Sequence, residues 1–554
     1  MIMNMKRIHN KKNVGLLTAF AAGILLFSTA CTKNYADVNT NKNSIATVTP
    51  TVIPFLFSHA QDIATVNQAN YQIAQNLFAD QYCQYFACEA TYFGSDRLVI
   101  NQGWVGANFS PYYTDVLPQL QTIFANTDSA SAEHAMAEVV WVLAFMKATD
   151  YWGPIPYFQA GHVQASVPYD PQDKIYADFF SRLDQAIAVL TPLAGSNAYG
   201  SYDLFYGGDV SHWIKFANSL RLRLALRVSK VDPTTAQKEA EASVAAGVMT
   251  ASPGDDCFVA RSSTGGDING LSTMSDWNEF RMSATMSSVL KGYQDPRISQ
   301  YFLPTFNSGN ATFGIFANYQ GLRNGLSVAQ QTLTQNLAVA NSHQGPRWSS
   351  TNVTVKTTPS PTVVGLANYT NTPQNVMESA ECYFLRAEGA LLGWQMGDNA
   401  QNLYNLGIQN SMYQWGITDA ATISGYQNST ATPVAPGAYT PDGTDTAVSN
   451  IPIKWNTANT TIQLQQIMTQ KWLALFPDGM EAWADWRRNP VMNLYAVVNS
   501  DNPLILDPTK KHLRRIPFLT SEKQTNAGAV NAAVNLLTPA VDNEMTPLWW
   551  DRNP

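Results

Sequence analysis

The amino-acid sequence predicts a mostly α-helical fold with little β-structure. Helix–turn–helix pairs form a scaffold, and large irregular loops interrupt its second half. Three observations predict it. Long segments carry apolar residues at helical spacing and lack breakers. They come in hairpin pairs whose connections carry Gly, Asp or Pro. Between the pairs lie insertions, about 250–370 and 418–460, heavy in Gly, Ser, Thr, Asn and Pro, a composition of loops.

In chain order, residues 1–30 hold Lys6, Arg7, Lys11 and Lys12 and no acid, and residues 14–27 are almost wholly apolar. That run is too short for a spanning helix, which needs about 20 residues, but fits a secretory leader. Ser28, Thr29 and Ala30 are small, and Cys31 follows at once. This is the lipoprotein pattern: the Cys31 thiol receives a diacylglyceryl group and the new α-amine is acylated. Acyl chains then anchor the chain at about 0.8 kcal/mol per buried CH2. The plainer alternative is a secreted protein with an incidental cysteine. The expected organisation is a removed leader (1–30), a lipidated tether (31–50) and a single domain (51–554), its helical scaffold covering about 51–250 and 371–500.

A first long helix is expected over about 55–88. Residues 135–149, AMAEVVWVLAFMKAT, are apolar nearly all round, which predicts burial on several sides. Their partner is 170–190, with Asp170 as N-cap and Pro171 as the first helical residue. Ile175, Phe179, Leu183, Ile187 and Leu190 form its apolar stripe. The alternation at 220–224 admits a strand, but Trp213, Phe216, Leu220 and Leu224 keep a helical spacing with no breaker before Pro233. Leu220 and Leu222 fall on nearly opposite sides of that helix, so neighbours should pack on both. Asp232-Pro233 starts a second helix ending at Gly247. A third pair covers 376–392 and 399–415 around the turn GWQMGD, and a further helix covers 461–476. Pairs of about 35–40 residues suit tetratricopeptide-like stacking.

Without residues 1–30 the chain carries 30 Lys and Arg against 41 Asp and Glu, a net charge of −11. This disfavours nucleic acid and an anionic membrane surface, leaving the lipid as the anchor. Charged residues are 14% of the chain, and aromatics 11%, with 14 Trp. An amide- and hydroxyl-rich surface with many Trp and Tyr suits stacking on neutral sugars or wrapping a partner. Beyond Cys31, the cysteines are Cys83, Cys88, Cys257 and Cys382, with no CxxC pair and no zinc spacing. Cys83 and Cys88 either pair or remain buried thiols. No metal and no cofactor are expected; SPGDD lacks calcium-ligand spacing.

An ordered set of motifs runs along nearly the whole mature chain: YADVNTNKNSIATVTPTVIPFL, ATDYWGPIPYFQA, YDPQDKIY, GGDVSHWIKFANSLRLRLALR, YQDPRISQYF, YFLRAEGALLGW, QKWLALFPDGMEAWADWRRN, LRRIPFLTSEKQTNAG and the closing LWWD. With Cys31, this set resembles the SusD/RagB family of nutrient-binding outer-membrane lipoproteins, most closely its SusD-like branch. Lys42 stands where that family usually has Pro. The resemblance implies four tetratricopeptide-like pairs, with loops making the ligand face. It implies a non-enzymatic lipoprotein on the outer membrane, facing the exterior, that captures oligosaccharides or peptides. Its partner would be a SusC-like TonB-dependent transporter.

Most motifs read as scaffold. Gly153-Pro154 and Pro156 force a turn, with Tyr151, Trp152 and Tyr157 packing it. Glu481 and Asp485 lie four apart on one helix face. Two carboxylates can serve a glycosidase, but Arg487, Arg488, Arg514 and Arg515 favour an ion-pair network. Asn218 is expected as a buried amide bonded to a neighbouring loop backbone. HExxH, GxSxG, a P-loop and a dinucleotide fingerprint are absent from the sequence.

A sugar site needs flat aromatics for pyranose faces and polar groups for hydroxyls. Two stretches supply them: TYFGSDRLVINQGW, with Tyr92, Arg97, Asn101 and Trp104, and the 250–350 insertion, with Asp276, Trp277, Asn278, Tyr319 and Trp348. Trp277 ranks first and Trp104 second. The competing readings are a peptide binder of the same architecture, a helical scaffold without a small ligand, and a helical-toroid glycosidase.

Overall fold

The structure, a computed structural model, describes residues 48–305, 319–337, 340–350, 354–357, 360–363, 368–436 and 445–553. Cys31 and most of the 31–50 tether lie outside them. Two compact units are distinguished, Met1–Ile53 and Pro54–Pro554. In the first, the described residues make a turn up to the start of α1.

Helix α1 is Ile53–Ala64. The expected helix over 55–88 is not continuous. Thr65 Oγ1 donates to Gln61 O (2.9 Å) and Val66 takes φ 60°, which ends α1. A π-helical turn (Gln72–Asn76), a short helix (Ala79–Tyr82) and strand β1 (Phe86–Cys88) follow. The apolar spacing runs through these breaks, so it could not reveal them.

The scaffold pairs follow. Helix α2 (Ala132–Trp152), capped by Ser131 Oγ on the His134 N–H, packs on α3 (Gln172–Leu190). Asp170 does not cap α3. Pro171 holds that position, and Asp170 Oδ2 accepts the N–H groups of Tyr157 (3.1 Å) and Phe158 (2.9 Å). The carboxylate thereby braces the preceding turn, where Tyr151, Trp152 and Tyr157 are buried. Helix α4 (Val210–Val228) packs on α5 (Pro233–Ala246), which Asp232 caps through the Thr235 N–H.

Strand β2 (Cys257–Val259), helix α6 (Gly270–Trp277), strand β3 (Phe280–Met282) and the hairpin of β4 (Thr354–Thr357) and β5 (Ser360–Val363) belong to the insertion. Just past its end, β6 (Gln374–Met377) pairs antiparallel with β2. Residues 376–377, expected as helix, are therefore strand, and α7 begins later (Ser379–Leu391). It pairs with α8 (Ala400–Gln414) and packs on α9 (Thr460–Ala474). Helix α10 is Gly479–Arg488.

Helix α4 is the middle of the stack, with α3, α5 and α7 against it; Leu220, Leu222, Leu224 and Leu226 are all buried. Its arginines bind the scaffold together. Arg223 grips Glu381 of α7 through Nε (2.7 Å) and Nη2 (2.6 Å), and Arg227 Nη2 reaches Glu481 of α10 (2.6 Å). Asp485 accepts Lys471 Nζ (2.9 Å) and Arg488 Nη2 (2.8 Å), and Arg488 also holds Glu388 of α7. The Glu481/Asp485 pair is thus an ion-pair hub. Arg487 instead donates to the carbonyls of Arg514 and Asp150 (both 2.9 Å) and lies 3.5 Å over the Trp483 ring. Asn218 Nδ2 donates within its own helix, to Ile214 O (2.9 Å), rather than to a loop. Cys83, Cys88, Cys257 and Cys382 are buried free thiols.

Candidate ligand-binding face

Strands β1 and β3 join the two nominated stretches. They run antiparallel, with Phe86 opposite Met282, Ala87 opposite Arg281 and Cys88 opposite Phe280. Past β1, the N–H groups of Glu89 and Ala90 both donate to Glu279 O (2.9 and 3.3 Å). The chain leaving β1 toward Tyr92 therefore stays beside the chain arriving at β3 from Trp277.

Helix α6 sets the second side. Asn269 Oδ1 caps it, accepting from Leu271 (2.9 Å) and Ser272 (3.3 Å). Asn278 ends it at φ 63°, a left-handed conformation that Asn tolerates well. Asn278 Oδ1 accepts Arg281 Nη2 (2.7 Å). Trp277, the last helical residue, is left 51% exposed. Tyr369 is laid against α6 by Ser272 Oγ, which donates to Tyr369 O (2.8 Å).

Around residues 276–279 the polar partners are specific. Tyr92, 70% exposed, donates its hydroxyl to Glu279, whose other oxygen accepts Gln72 Nε2 (2.7 Å). Tyr369 donates its hydroxyl to Asp276. Each of these hydrogen bonds pushes its phenol up to about 12, so both remain protonated donors at neutral pH. Beneath Tyr92 lies Phe93, with ring centroids 4.6 Å apart; Phe93 stands edge-on to Trp104 (5.7 Å) and stacks on Phe280 (6.1 Å). Trp104 is half-buried.

Tyr92, Trp104, Asp276, Trp277 and Asn278 therefore belong to one region. Asn101 is exposed but caps the helix Gln102–Pro111 through the Gly103 N–H (2.9 Å). Three nominees are withdrawn from the surface. Arg97 is buried, with Nε on Asp501 Oδ2 (2.6 Å) and Nη1 on Leu326 O (3.3 Å). Tyr319 is buried, and buried Trp348 meets Trp415 (5.8 Å) and Phe476 (5.7 Å) edge-on. Sequence reasoning missed Glu279, Gln72 and Tyr369. Glu279 stood in the same SDWNEF stretch as Trp277; for Gln72 and Tyr369 there was no local signal. Among the described residues, no group of His, Cys, Asp and Glu is placed to hold a metal ion, and no helix is long and apolar enough to cross a membrane.

Residues 33–551 match the family described as SusD-like, Susd and RagB outer membrane lipoprotein. The chain belongs to the SusD-like family. Members of this family are nutrient-binding outer-membrane lipoproteins rather than enzymes. Solved SusD homologues share the fold. A chitin-binding SusD homologue from Flavobacterium johnsoniae is 32% identical, with TM-score 0.78 over 91% of this chain and 99% of that one. A homologue from Bacteroides ovatus is 29% identical, with TM-score 0.78 over 91% and 100%. One from Bacteroides thetaiotaomicron is 26% identical, with TM-score 0.77 over 91% and 99%. A comparison with curated proteins finds no match.

Proposed function

We propose that this SusD-like protein captures an oligosaccharide outside the cell and hands it to a SusC-like TonB-dependent transporter, tethered by acyl chains on Cys31 after removal of residues 1–30. The observation that carries the reading is the exposed face around residues 276–279. There Trp277, Tyr92 and Tyr369 stand beside Asp276, Asn278 and Glu279. Indole and phenol rings cover the apolar C–H faces of sugars, while carboxylates and amides take the hydroxyls. The carboxylates are already tied to phenols, which holds both partners in place before a ligand arrives and lowers the ordering cost of binding.

Chito-oligosaccharides are the first ligands to test, because the 32%-identical relative is described as chitin-binding. The full chain, purified in detergent, is titrated with chito-oligosaccharides and other soluble oligosaccharides, with a peptide digest as competitor. Saturable quenching of Trp fluorescence by one glycan class is the expected result. Displacement by peptides with no response to any glycan refutes the sugar assignment. Failure of the protein to incorporate labelled palmitate in growing cells refutes the tether, and failure to co-purify with a barrel protein refutes the delivery role.

A further inference from the structure

Asp80, in the helix Ala79–Tyr82, is wholly buried, and among the described residues no lysine or arginine forms an ion pair with it. Three neutral donors hold it instead. Gln75 Nε2 donates to Oδ1 (3.0 Å), and Tyr71 OH (3.3 Å) and Asn76 Nδ2 (3.4 Å) donate to Oδ2. Gln75 and Asn76 belong to the π-helical turn Gln72–Asn76, and Tyr71 immediately precedes it.

Both ends of this network lead to the ligand-binding face. Gln72, the first residue of the turn, donates to Glu279 Oε2 (2.7 Å), whose other oxygen accepts Tyr92. Tyr71 lies against Gly270, the first residue of α6. A Cβ at Gly270 would fall 2.4 Å from Tyr71 Cβ, so this contact needs a glycine. Helix α6 carries Asp276 and Trp277 at its other end. One buried carboxyl group therefore lies under both sides of the face, the Glu279 side and the Trp277 side.

We propose that Asp80 is a positioning residue for this face: its ionised carboxylate holds Tyr71 and the π-helical turn, and through them α6 and Glu279, in the arrangement that takes a glycan. The inference rests on the reading of that face as the binding site. It makes capture depend on the protonation of a group that no ligand touches. An ionised carboxylate only accepts, and serves all three donors. A protonated one carries an O–H, which takes the place of one acceptor position and leaves a donor unserved.

Burial pushes Asp80 up to about 7, against the pull of its three hydrogen bonds. Asp478, the cap of α10, adds negative charge that acts in the same direction as burial. Lys147 of α2 interacts with Asp478 and is pushed down by burial. Tyr71, Cys83 and Tyr151 are pushed up by burial and stay neutral. The buried carboxyls of Asp96 and Glu481, on neighbouring elements, lie at about 6 and about 7. They titrate in the same range, so only the difference between wild-type and Asp80→Asn protein isolates Asp80. His343, bonded to Ser275 O of α6, is pushed down to about 3 and stays neutral.

The unfolded chain releases the Asp80 proton near pH 4, and the folded chain near 7. The stability that this difference lends is complete below about pH 4 and is lost as pH rises through about 7. Glycan affinity moves the opposite way, because the charged form is the one that holds the face. The full chain is titrated by calorimetry with chitohexaose, cellohexaose and maltohexaose between about pH 5.5 and 8.5, with urea melts alongside. At least one hexaose is expected to bind the wild type about fivefold more tightly at the upper end than at the lower. Asp80→Asn should match the wild type at the lower end and bind about fivefold more weakly at the upper, with a flat profile. Over the same range the wild-type urea midpoint should fall relative to that of the variant. A residue that merely supported the fold would lose affinity and stability together.

The backbone of the turn has other supports, since Asn108 Nδ2 (3.2 Å) and Tyr151 OH (3.0 Å) both donate to Ala74 O, so the variant is expected to fold. Should it not, Tyr71→Phe keeps the ring on Gly270, removes one donor, and should weaken binding about twofold at the upper end. The proposal is overturned if Asp80→Asn keeps the wild-type pH profile, if its affinity falls only in step with its urea midpoint, or if Tyr71→Phe, used in its place, binds as the wild type does. If no hexaose binds at any pH, the face itself is refuted and this role falls with it. If one binds and Trp277→Ala weakens it, while Asp80→Asn changes nothing, only the positioning role is refuted.

Discussion

Replacing Trp277 by Ala should weaken glycan binding about tenfold and leave the fold intact. Trp277 ends α6 with 51% of its surface free. A Trp side chain offers about 200 Å², so about 100 Å² stands available. A pyranose covers one face, about half of that, and about 50 Å² at 25 cal/mol per Å² is worth about 1.3 kcal/mol. That is close to a factor of ten in Kd. The residue is exposed and terminates its helix, so stability should change by no more than about 0.5 kcal/mol. Calorimetric titration of wild-type and Trp277→Ala protein with chito-oligosaccharides, beside urea melts of both, measures the two quantities. Wild-type affinity in the variant, with an unchanged melt, would refute the assignment of this face as a sugar platform. A large loss of stability would instead place Trp277 in the packing.

Other perturbations have equally definite outcomes. Glu381→Ala removes the two-oxygen partner of the Arg223 guanidinium, 1% exposed, and leaves it only Glu481 at 3.6 Å, and should cost about 3–5 kcal/mol in urea unfolding. The double change Arg223→Met with Glu381→Leu should recover most of it, because no uncompensated charge remains. His343 is held neutral by burial, its pKa pushed down to about 3, with Nε2 on Ser275 O (2.9 Å). The unfolded chain takes up that proton near pH 6.5 and the folded chain does not. Stability is therefore lost as pH falls from 6.5 toward 3, and His343→Gln should flatten the urea midpoint against pH over that window. A Cβ at Gly345 would sit 2.1 Å from Gln300 O, a backbone atom, so Gly345→Ala should lower stability by about 1–3 kcal/mol, read as a lower urea midpoint.

The parts of the molecule that were legible beforehand share a short range. The apolar-all-round run inside α2 and the two-sided leucines of α4 depend on neighbours three and four residues away, and they are helices. The same is true of the Asp232-Pro233 start of α5. The ion-pair hub at Glu481 and Asp485 was readable as a type, because so many arginines lay nearby in sequence. Its partners on α4 and α7 were not. The local signals failed where a second element intervened. Asp170 looks like a cap in sequence but is claimed by the backbone of residues 157 and 158. Residues 376–377 continue an apolar helical run but are captured by β2.

For the candidate site the division is sharper. The sequence alone determined that this is a helical scaffold of SusD-like type carrying aromatic and amide-rich loops. It could not tell Trp277 from Trp348, both in the same insertion. One is free at a helix end, and the other lies against Trp415 and Phe476. Nor could it tell that Arg97 would be spent on Asp501, or that Tyr369 would arrive beside Asp276. Periodicity and caps are set by contacts within one turn of chain and are written locally. Exposure and partnership are set by which distant segments the pairing of β1 with β3, and the stacking of the helices, bring to the same place.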